Sequence, residues 1–155
     1  MENTDLPEIT LFRAIRESGA RSLLIGRRAL VALGLPVSTF DYDFWVHFDD
    51  VERFNVALAA HGHFPNHAPD AARARGRYVL ENGEHIDVLI ARSRATVDGA
   101  ALTFDDAWLR REVLPLGDTE LVLPSLEDLI LTKQWAMRAK DVADIQLLEA
   151  LRRKP

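Results

Sequence analysis

Two aspartates, Asp41 and Asp43, have the residue type and spacing best suited to chemistry in this sequence. They lie in the stretch 40–47, which alternates in polarity and is rich in aromatic residues, so we predict a β-strand there. Residues two apart on a strand point to the same face, with Cα atoms about 6.5–7 Å apart. Two such carboxylates repel each other unless a cation lies between them or one is protonated. Oxygen ligands of this kind suit Mg²⁺ or Mn²⁺.

A third aspartate, Asp87, stands among apolar residues in another predicted strand, 85–91. If this strand is a neighbour of the strand of Asp43, three carboxylates converge, as a two-metal phosphoryl or nucleotidyl transfer site requires. Taken without their context, Asp41 and Asp43 are explained more simply as outward residues of a solvent-facing strand. The residues that precede them in the sequence favour the metal site instead.

A glycine follows the short apolar strand predicted for residues 22–25. Gly26 begins the next predicted helix, and the backbone N–H groups at a helix N-terminus form an anion site that a glycine lets a phosphate approach closely. Because this turn lies one short helix before the acid pair, the sequence predicts a phosphate site beside a metal site.

Together these features resemble the nucleotidyltransferases of the DNA polymerase β-like superfamily. Gly26-Arg27, a spacer of thirteen residues, the acid–apolar–acid stretch 41–43 and then Asp87 in a later strand follow the order of motifs in that family. The stretches 34–43 and 125–144 are similar to the small single-domain bacterial members, which include the nucleotidyltransferase partners of type IV toxin–antitoxin pairs. The resemblance covers residues 20–150.

This resemblance implies an enzyme that uses Mg²⁺ or Mn²⁺ to move a nucleoside monophosphate from a nucleoside triphosphate to a hydroxyl acceptor. The acceptor would be an RNA end, a protein or a small molecule such as an antibiotic. Asp41 and Asp43 would bind the ions that carry the triphosphate, and Asp87 would bind the catalytic ion and help to deprotonate the acceptor. The nucleotide-binding residues that the resemblance implies are Gly26, Arg27, Thr39 and Lys133.

Two positions depart from the family pattern. Arg27 stands where the family usually has glycine or serine, and Val37 stands where many relatives have arginine. Both departures favour an alternative function, a non-catalytic nucleotide-binding or protein-interaction module that acts through a partner protein, such as one half of a toxin–antitoxin pair. The intact set of three acids favours the enzyme. We further expect Arg27, at a helix start after a glycine, to contact phosphate rather than a structural acid.

Lys133 lies on the apolar stripe of a predicted C-terminal helix, seven residues after Leu126 and four after Leu129. A lone buried ammonium is costly, so this lysine either extends to solvent or meets an anion. Two kinds of anion remain open. One is an aspartate on the following helix, Asp141 or Asp144, and the other is a nucleotide phosphate, as the resemblance suggests.

Two groups of basic residues give weaker signals. Three histidines in a proline-containing loop could supply zinc ligands, but no fourth ligand is evident, so we interpret them as exposed loop residues: His61, His63 and His67. Arginines at alternate positions share one face if they lie on a strand, which predicts a solvated edge or, alternatively, a basic track for nucleic acid or a second substrate. They are Arg73, Arg75 and Arg77, with Arg92 and Arg94 on the partner strand.

Helices and strands alternate along the predicted chain. We predict helices at 7–18, 26–34, 51–60, 125–138 and 140–152, and strands at 22–25, 40–47, 77–80, 85–91, 102–104 and 120–123. Asn82-Gly83 is a strong hairpin signal between two of these strands. The order predicts an α/β (α+β) domain, a mixed β-sheet flanked by helices with a C-terminal helical pair.

Composition limits the class of protein. The 155 residues, 48% hydrophobic and 28% charged, suffice for one domain, with a core at about 20–123 and C-terminal helices at about 125–152. The net charge of −5 argues against a general polyanion-binding surface, and the absence of cysteine excludes disulfides and thiolate chemistry. The sequence shows neither a secretory leader nor an apolar run of ~18 residues, so we expect a soluble, cytoplasmic protein.

Overall fold

A mixed five-stranded sheet forms the centre of the fold. The computed structural model describes residues 7–82, 84–90, 94–95, 101–135 and 138–154. The helices within these residues are α1 (Pro7–Ser18), α2 (Gly26–Ala32), α3 (Val51–Ala59), α4 (Pro69–Arg75), α5 (Phe104–Leu109), α6 (Leu126–Lys133) and α7 (Ala139–Arg152). The strands are β1 (Ser22–Ile25), β2 (Tyr42–Val46), β3 (Phe64–Pro65), β4 (Arg77–Asn82), β5 (Glu84–Ile90), β6 (Arg94–Ala95), β7 (Ala101–Leu102), β8 (Glu112–Leu116) and β9 (Thr119–Leu123).

The strands of the central sheet follow the order β1-β2-β5-β4-β3. Strands β2 and β5 pair in parallel, whereas the β1–β2, β5–β4 and β4–β3 pairs are antiparallel. Two further ribbons, β6–β7 and β8–β9, lie outside this sheet. The predicted mixed α/β class is therefore confirmed, as is the hairpin of β4 and β5, although Gly83 of its turn lies outside the described residues.

Strand β2 shows how both faces of the sheet become buried. Because successive side chains alternate between faces, Phe44 meets the ring of Phe12 on α1, and its neighbour Trp45 meets the rings of Phe104 and Trp135 on the opposite side. Phe44 and Trp45 are both almost fully buried. Helices therefore cover the sheet on both faces, and Asp43 shares its face with Trp45.

Several predicted elements differ from those observed. Strand β2 begins at Tyr42, so Asp41 lies just before it, and α6 ends at Lys133 rather than near residue 138. Helix α5 and strand β8 were not predicted, and Phe104 begins α5 instead of ending a strand. None of the described helices is both long and apolar enough to cross a lipid bilayer.

The predicted strand face of alternating arginines is wrong. Arg73 and Arg75 lie on helix α4, and only Arg77 belongs to a strand. Pro69 occupies the first turn of α4, and Gly76 follows it with φ +83°, a left-handed conformation that ends a helix. These residues favour a helix over 69–75. Arg92 lies outside the described residues.

Candidate active site

Asp43 and Asp87 lie side by side on neighbouring strands. They are register partners in the parallel β2–β5 pair, so the predicted adjacency of the two strands is confirmed. Both side chains, together with the exposed Asp41 that precedes β2, line one cavity of about 360 Å³. The arrangement concentrates negative charge at the middle of one sheet face.

The carboxyl group of Asp43 is electrostatically strained in this position. Burial raises its pKa most, and the charge of Asp87 raises it further. The charge of Lys133 acts in the opposite direction, and Asp41 and Lys140 make smaller contributions of opposite sign. Within the described part of the chain, no cation lies within ion-pair distance of Asp43. The carboxylate of Asp43 therefore has no ion-pair partner among the described residues.

The three carboxylates fit a divalent cation by their chemistry, although they do not form a ready-made site. Among the described residues, no three His, Cys, Asp or Glu side chains are grouped closely enough to hold a metal ion, and this includes the three loop histidines. The available donors that face the cavity are carboxylate oxygens, which Mg²⁺ and Mn²⁺ prefer. A cation between Asp43 and Asp87 would also remove the repulsion that raises the pKa of Asp43.

Gly26 has a structural role in addition to the predicted one of admitting a phosphate, which stays a prediction. Its φ is +70°, and a Cβ atom on it would lie 2.3 Å from Oδ2 of Asp43. Strand β1 pairs with β2 so that Ile25 is the register partner of Asp43, which brings the next residue against the carboxylate. The glycine therefore makes room for Asp43 itself.

Gly26→Ala is expected to destabilise the protein by clearly more than the about 1–2 kcal/mol that a left-handed backbone costs an alanine. The added methyl group must displace the whole Asp43 side chain, because its Cβ and Cγ atoms also lie 3.0 Å from the position of the new atom. Gly34→Ala is the matched control, because Gly34 has φ +82° and nothing within 4 Å of its Cβ position. Urea denaturation of the two variants measures the difference, and equal losses would show that Asp43 does not depend on Gly26.

A buried network of charges holds the C-terminal helices against α2. Lys133 Nζ lies 3.0 Å from Asp144 Oδ2 and 3.7 Å from Asp141 Oδ1, and these three side chains are almost completely buried. Burial alone would raise the pKa of Asp144, but hydrogen bonds from Arg27 and Lys133 outweigh it and hold that pKa below its ordinary value. Both predicted aspartate partners of Lys133 are therefore present.

The expectation that Arg27 contacts no structural acid is wrong, whereas its contact with a phosphate stays a prediction. Its Nε and Nη2 atoms each donate a hydrogen bond of 3.2 Å to Asp144, a fully buried carboxylate that lies 117 positions further along the chain. A buried aspartate attracts the guanidinium because an unpaired charge there is costly. Arg27 still lines the cavity, with about a third of its side chain exposed.

Thr39 fixes the approach of the chain to Asp41. Its Oγ1 accepts a hydrogen bond of 3.1 Å from the backbone N–H of Asp41, and its carbonyl accepts one of 3.2 Å from Arg28. Thr39 lines the cavity, whereas Val37 is half-buried against the hydrophobic core. The loop before β2 is thus tied to helix α2 at the point where it delivers Asp41.

Part of the cavity wall escaped the sequence reasoning. Further residues that line it are aromatic or basic and include Arg77, Trp135, Arg138 and Lys140. The sequence singles out Arg77 only as one of the alternating arginines, whose common strand face is not observed. Lys140 shows no pattern in the sequence beyond its place at the start of a helix. His85 also escaped notice, although its Nε2 lies 3.2 Å from Asp87 Oδ2.

Comparison with known proteins gives fold neighbours but no family. No family model matches the chain, and no curated protein matches it. Solved structures do match it. The lincosamide antibiotic adenylyltransferase LnuA, bound to lincomycin, has a TM-score of 0.63 and 15% identity, over 96% of this chain and 99% of that one.

Two further solved structures have the same fold. The enzyme ANT(2″)-Ia, in complex with adenylyl-2″-tobramycin, gives a TM-score of 0.64 and 14% identity, over 94% of this chain and 87% of that one. TM1012 of Thermotoga maritima is described as a candidate nucleotidyltransferase. It gives a TM-score of 0.59 and 12% identity, over 94% of this chain and 88% of that one. At such low identity the likeness concerns the fold, and this chain has the fold of solved nucleotidyltransferases.

Proposed function

We propose that this protein is a metal-dependent nucleotidyltransferase that transfers a nucleoside monophosphate from a nucleoside triphosphate to a hydroxyl acceptor. The observation that carries the proposal is the register pair of Asp43 and Asp87 in a cavity of a nucleotidyltransferase fold. Support comes from the charge of Asp43, which pairs with no cation among the described residues and which a divalent cation would balance. LnuA and ANT(2″)-Ia, which share the fold, are described with lincomycin and with adenylyl-2″-tobramycin.

The three carboxylates divide the work in this proposal. Asp41 and Asp43 would hold the ions that accompany the triphosphate, and Asp87 would hold the catalytic ion and accept the proton of the acceptor hydroxyl. When bound, the divalent ions supply Lewis acidity and hold the attacking and leaving oxygens in line. The three carboxylates together would thus anchor the donor and activate the acceptor.

Lys133 and Arg27 would meet the phosphates from the other side of the cavity. One of the three ammonium hydrogens of Lys133 is donated to Asp144, so this group keeps donors for a phosphate oxygen. Arg27 likewise uses Nε and Nη2 for Asp144 and retains Nη1. In this proposal Asp144 is a positioning residue, because it fixes both cations without touching the substrate.

A second candidate function is a non-catalytic nucleotide-binding module, one half of a toxin–antitoxin pair that acts through its partner. Two observations favour it. The described acids are not grouped as a ready-made metal site, and Arg27 is engaged by a buried aspartate. In this case the cavity would bind a nucleotide without turning it over.

A thermal-shift titration combined with pyrophosphate detection tests both candidates. Mg²⁺ with the correct triphosphate is expected to stabilise the protein by about 2.7 kcal/mol at a hundred times Kd, and neither component alone should do so. Pyrophosphate release in the presence of cell RNA, protein or small metabolites would support the enzyme. Stabilisation without release would support the binding module, and no stabilisation by any triphosphate would contradict both.

A further inference from the structure

Four neighbouring strands carry the polar residues of the cavity in a fixed order. Gly26 follows β1, Asp43 lies on β2, Asp87 lies on β5, and Arg77 begins β4. Arg77 is the register partner of Leu89, which is two residues beyond Asp87 and therefore points to the same face. The side chain of Arg77 thus lies diagonally across one strand gap from Asp87, a separation of about 7–8 Å between such positions.

Arg77 differs from most cations of this cavity because no acid neutralises it. Arg27, Lys133 and Arg138 each pair with Asp141 or Asp144. Arg77 is exposed, and within the described ranges it has neither a hydrogen-bond nor an ion-pair partner. The same holds for Lys140, which lines the cavity from the first turn of α7. The cavity therefore presents two uncommitted positive charges.

The position of Arg77 places it on the acceptor side of the proposed reaction. Attacking and leaving oxygens stand on opposite sides of the transferred phosphorus. If the proposed function is correct, the leaving pyrophosphate lies towards Gly26, Arg27 and Lys133, so the attacking hydroxyl approaches from beyond Asp87. Arg77 stands on that far side.

We propose that Arg77 selects an acceptor that carries a phosphate group next to its reacting hydroxyl. A guanidinium binds phosphate through two parallel hydrogen bonds, and it repels a polycationic amine such as tobramycin. In the reaction the acceptor oxygen bonds to the α-phosphorus, the bond to the bridging oxygen breaks, and pyrophosphate leaves with the electron pair. The hydroxyl proton passes to Asp87. This inference rests on the proposed function and names its substrate class.

The first arm of the test measures turnover with acceptors of different charge. The probes are a short oligoribonucleotide with a free 3′-hydroxyl, glycerol 3-phosphate, glycerol and tobramycin, each with Mg²⁺ and the triphosphate that stabilises the protein. With one of the two phosphorylated probes as acceptor, the protein is expected to release pyrophosphate from the triphosphate at least about tenfold faster than with glycerol or tobramycin. The phosphorylated probe that gives the faster turnover shows whether the phosphate belongs to an RNA end or to a small molecule. Preference for tobramycin or for uncharged glycerol would overturn the inference.

The second arm compares Arg77→Ala with a matched arginine. Arg77→Ala is expected to raise the KM or Kd for the phosphorylated acceptor by about 10- to 100-fold, the usual value of a charge-assisted contact, and to leave the KM for the triphosphate unchanged. Arg75→Ala removes an exposed arginine that does not line the cavity and should change neither. A rise in the KM for the triphosphate instead would assign Arg77 to the donor side and overturn the inference.

A direct binding measurement separates this inference from the proposed function. Binding of the same oligoribonucleotide and of glycerol 3-phosphate to the full chain is measured by calorimetry, with no turnover required. Loss of binding in Arg77→Ala but not in Arg75→Ala, in a protein that releases no pyrophosphate, would support the phosphate site while contradicting the enzyme. Equal binding by both variants, or no binding of either probe to the unsubstituted protein, would overturn the phosphate site.

Discussion

Asp43→Asn is expected to stabilise the metal-free protein near neutral pH and to reduce transfer activity by more than about 100-fold. The loss should exceed the 10- to 100-fold effect typical of removing a partner of a metal ligand, since Asp43 would be a ligand itself. Stabilisation is expected because burial, followed by the charge of Asp87, makes the ionised carboxylate unfavourable in the folded state. Asparagine has nearly the same shape and carries no charge.

The pH dependence of this effect follows from the raised pKa of Asp43. A carboxyl whose pKa is higher in the folded protein contributes stability that is fully present below its unfolded pKa, ordinarily 3.8. That contribution is lost as the pH rises from this value through the folded pKa, and the cost of the charge then persists at neutral pH. Asp43→Asn should therefore gain stability relative to the unsubstituted protein as the pH rises through the same interval. Mg²⁺ together with the triphosphate should stabilise only the unsubstituted protein.

Urea denaturation at several pH values, with and without Mg²⁺ and triphosphate, measures both effects. Asp106→Asn serves as the control, because Asp106 is exposed and does not line the cavity. A loss of more than about 1 kcal/mol in metal-free Asp43→Asn, the ordinary range for a lost structural contact, would make the carboxylate structural. The metal site would then have lost its main support.

Asp144→Asn is expected to lower the free energy of unfolding by about 3–5 kcal/mol, the cost of removing one partner from a buried ion pair. The substitution leaves Arg27 without its carboxylate and Lys133 with only the more distant Asp141. Because the pKa of Asp144 is lowered in the folded state, its contribution is present above the unfolded pKa and lost as the pH falls through the folded pKa. The variant should therefore lose less stability than the unsubstituted protein on acidification below about pH 4.

Asp128→Asn is the matched control for this substitution. Asp128 is also buried and also accepts two hydrogen bonds from one arginine, Arg110, at 2.9 and 3.1 Å, but neither residue lines the cavity. Only Asp144→Asn should weaken triphosphate binding, measured at a temperature where both variants are folded. Adding Lys133→Met to Asp144→Asn should recover part of the lost stability, because the unpaired ammonium is removed. Equal triphosphate affinity in the two single variants would show that Asp144 positions nothing in the site.

The acid pair was predictable from sequence because its signal is local. An aspartate among alternating aromatic residues, or at position 87 among apolar ones, indicates a strand that carries one polar side chain in apolar surroundings. Helix α6 was predictable for the same reason, since Ser125, at the start of the predicted helix 125–138, accepts a capping hydrogen bond from the N–H of Asp128. Such features depend on residues within a few positions of one another.

The features that escaped prediction depend on distant or weak partners. The partner of Arg27 lies 117 positions away, and no local pattern identifies a buried aspartate on a helix as its ligand. Among the described strands, β8 pairs with β9 alone, and it is largely exposed, so its residues show little burial pattern. Helix α5 is six residues long, and its one local sign was the cap at Thr103, which accepts from the N–H of Asp106. The arginines of α4 were misplaced because their alternation was interpreted as a strand face, although Pro69 and Gly76 favour a helix between them.

The ion network joins residues that lie far apart in the sequence, so it is completed only late in the synthesis of the chain. At about 5–20 residues per second, the ribosome needs on the order of 10 s to pass from Arg27 to Asp144. Strands β2 and β5, with their repelling carboxylates, are made well before the aspartate that anchors Lys133. A nascent chain therefore holds the acids before the cations opposite them have a fixed place. Affinity for a triphosphate should arise only after α7 has docked, so a chain interrupted before that point would carry an acidic cavity with no matching donor site.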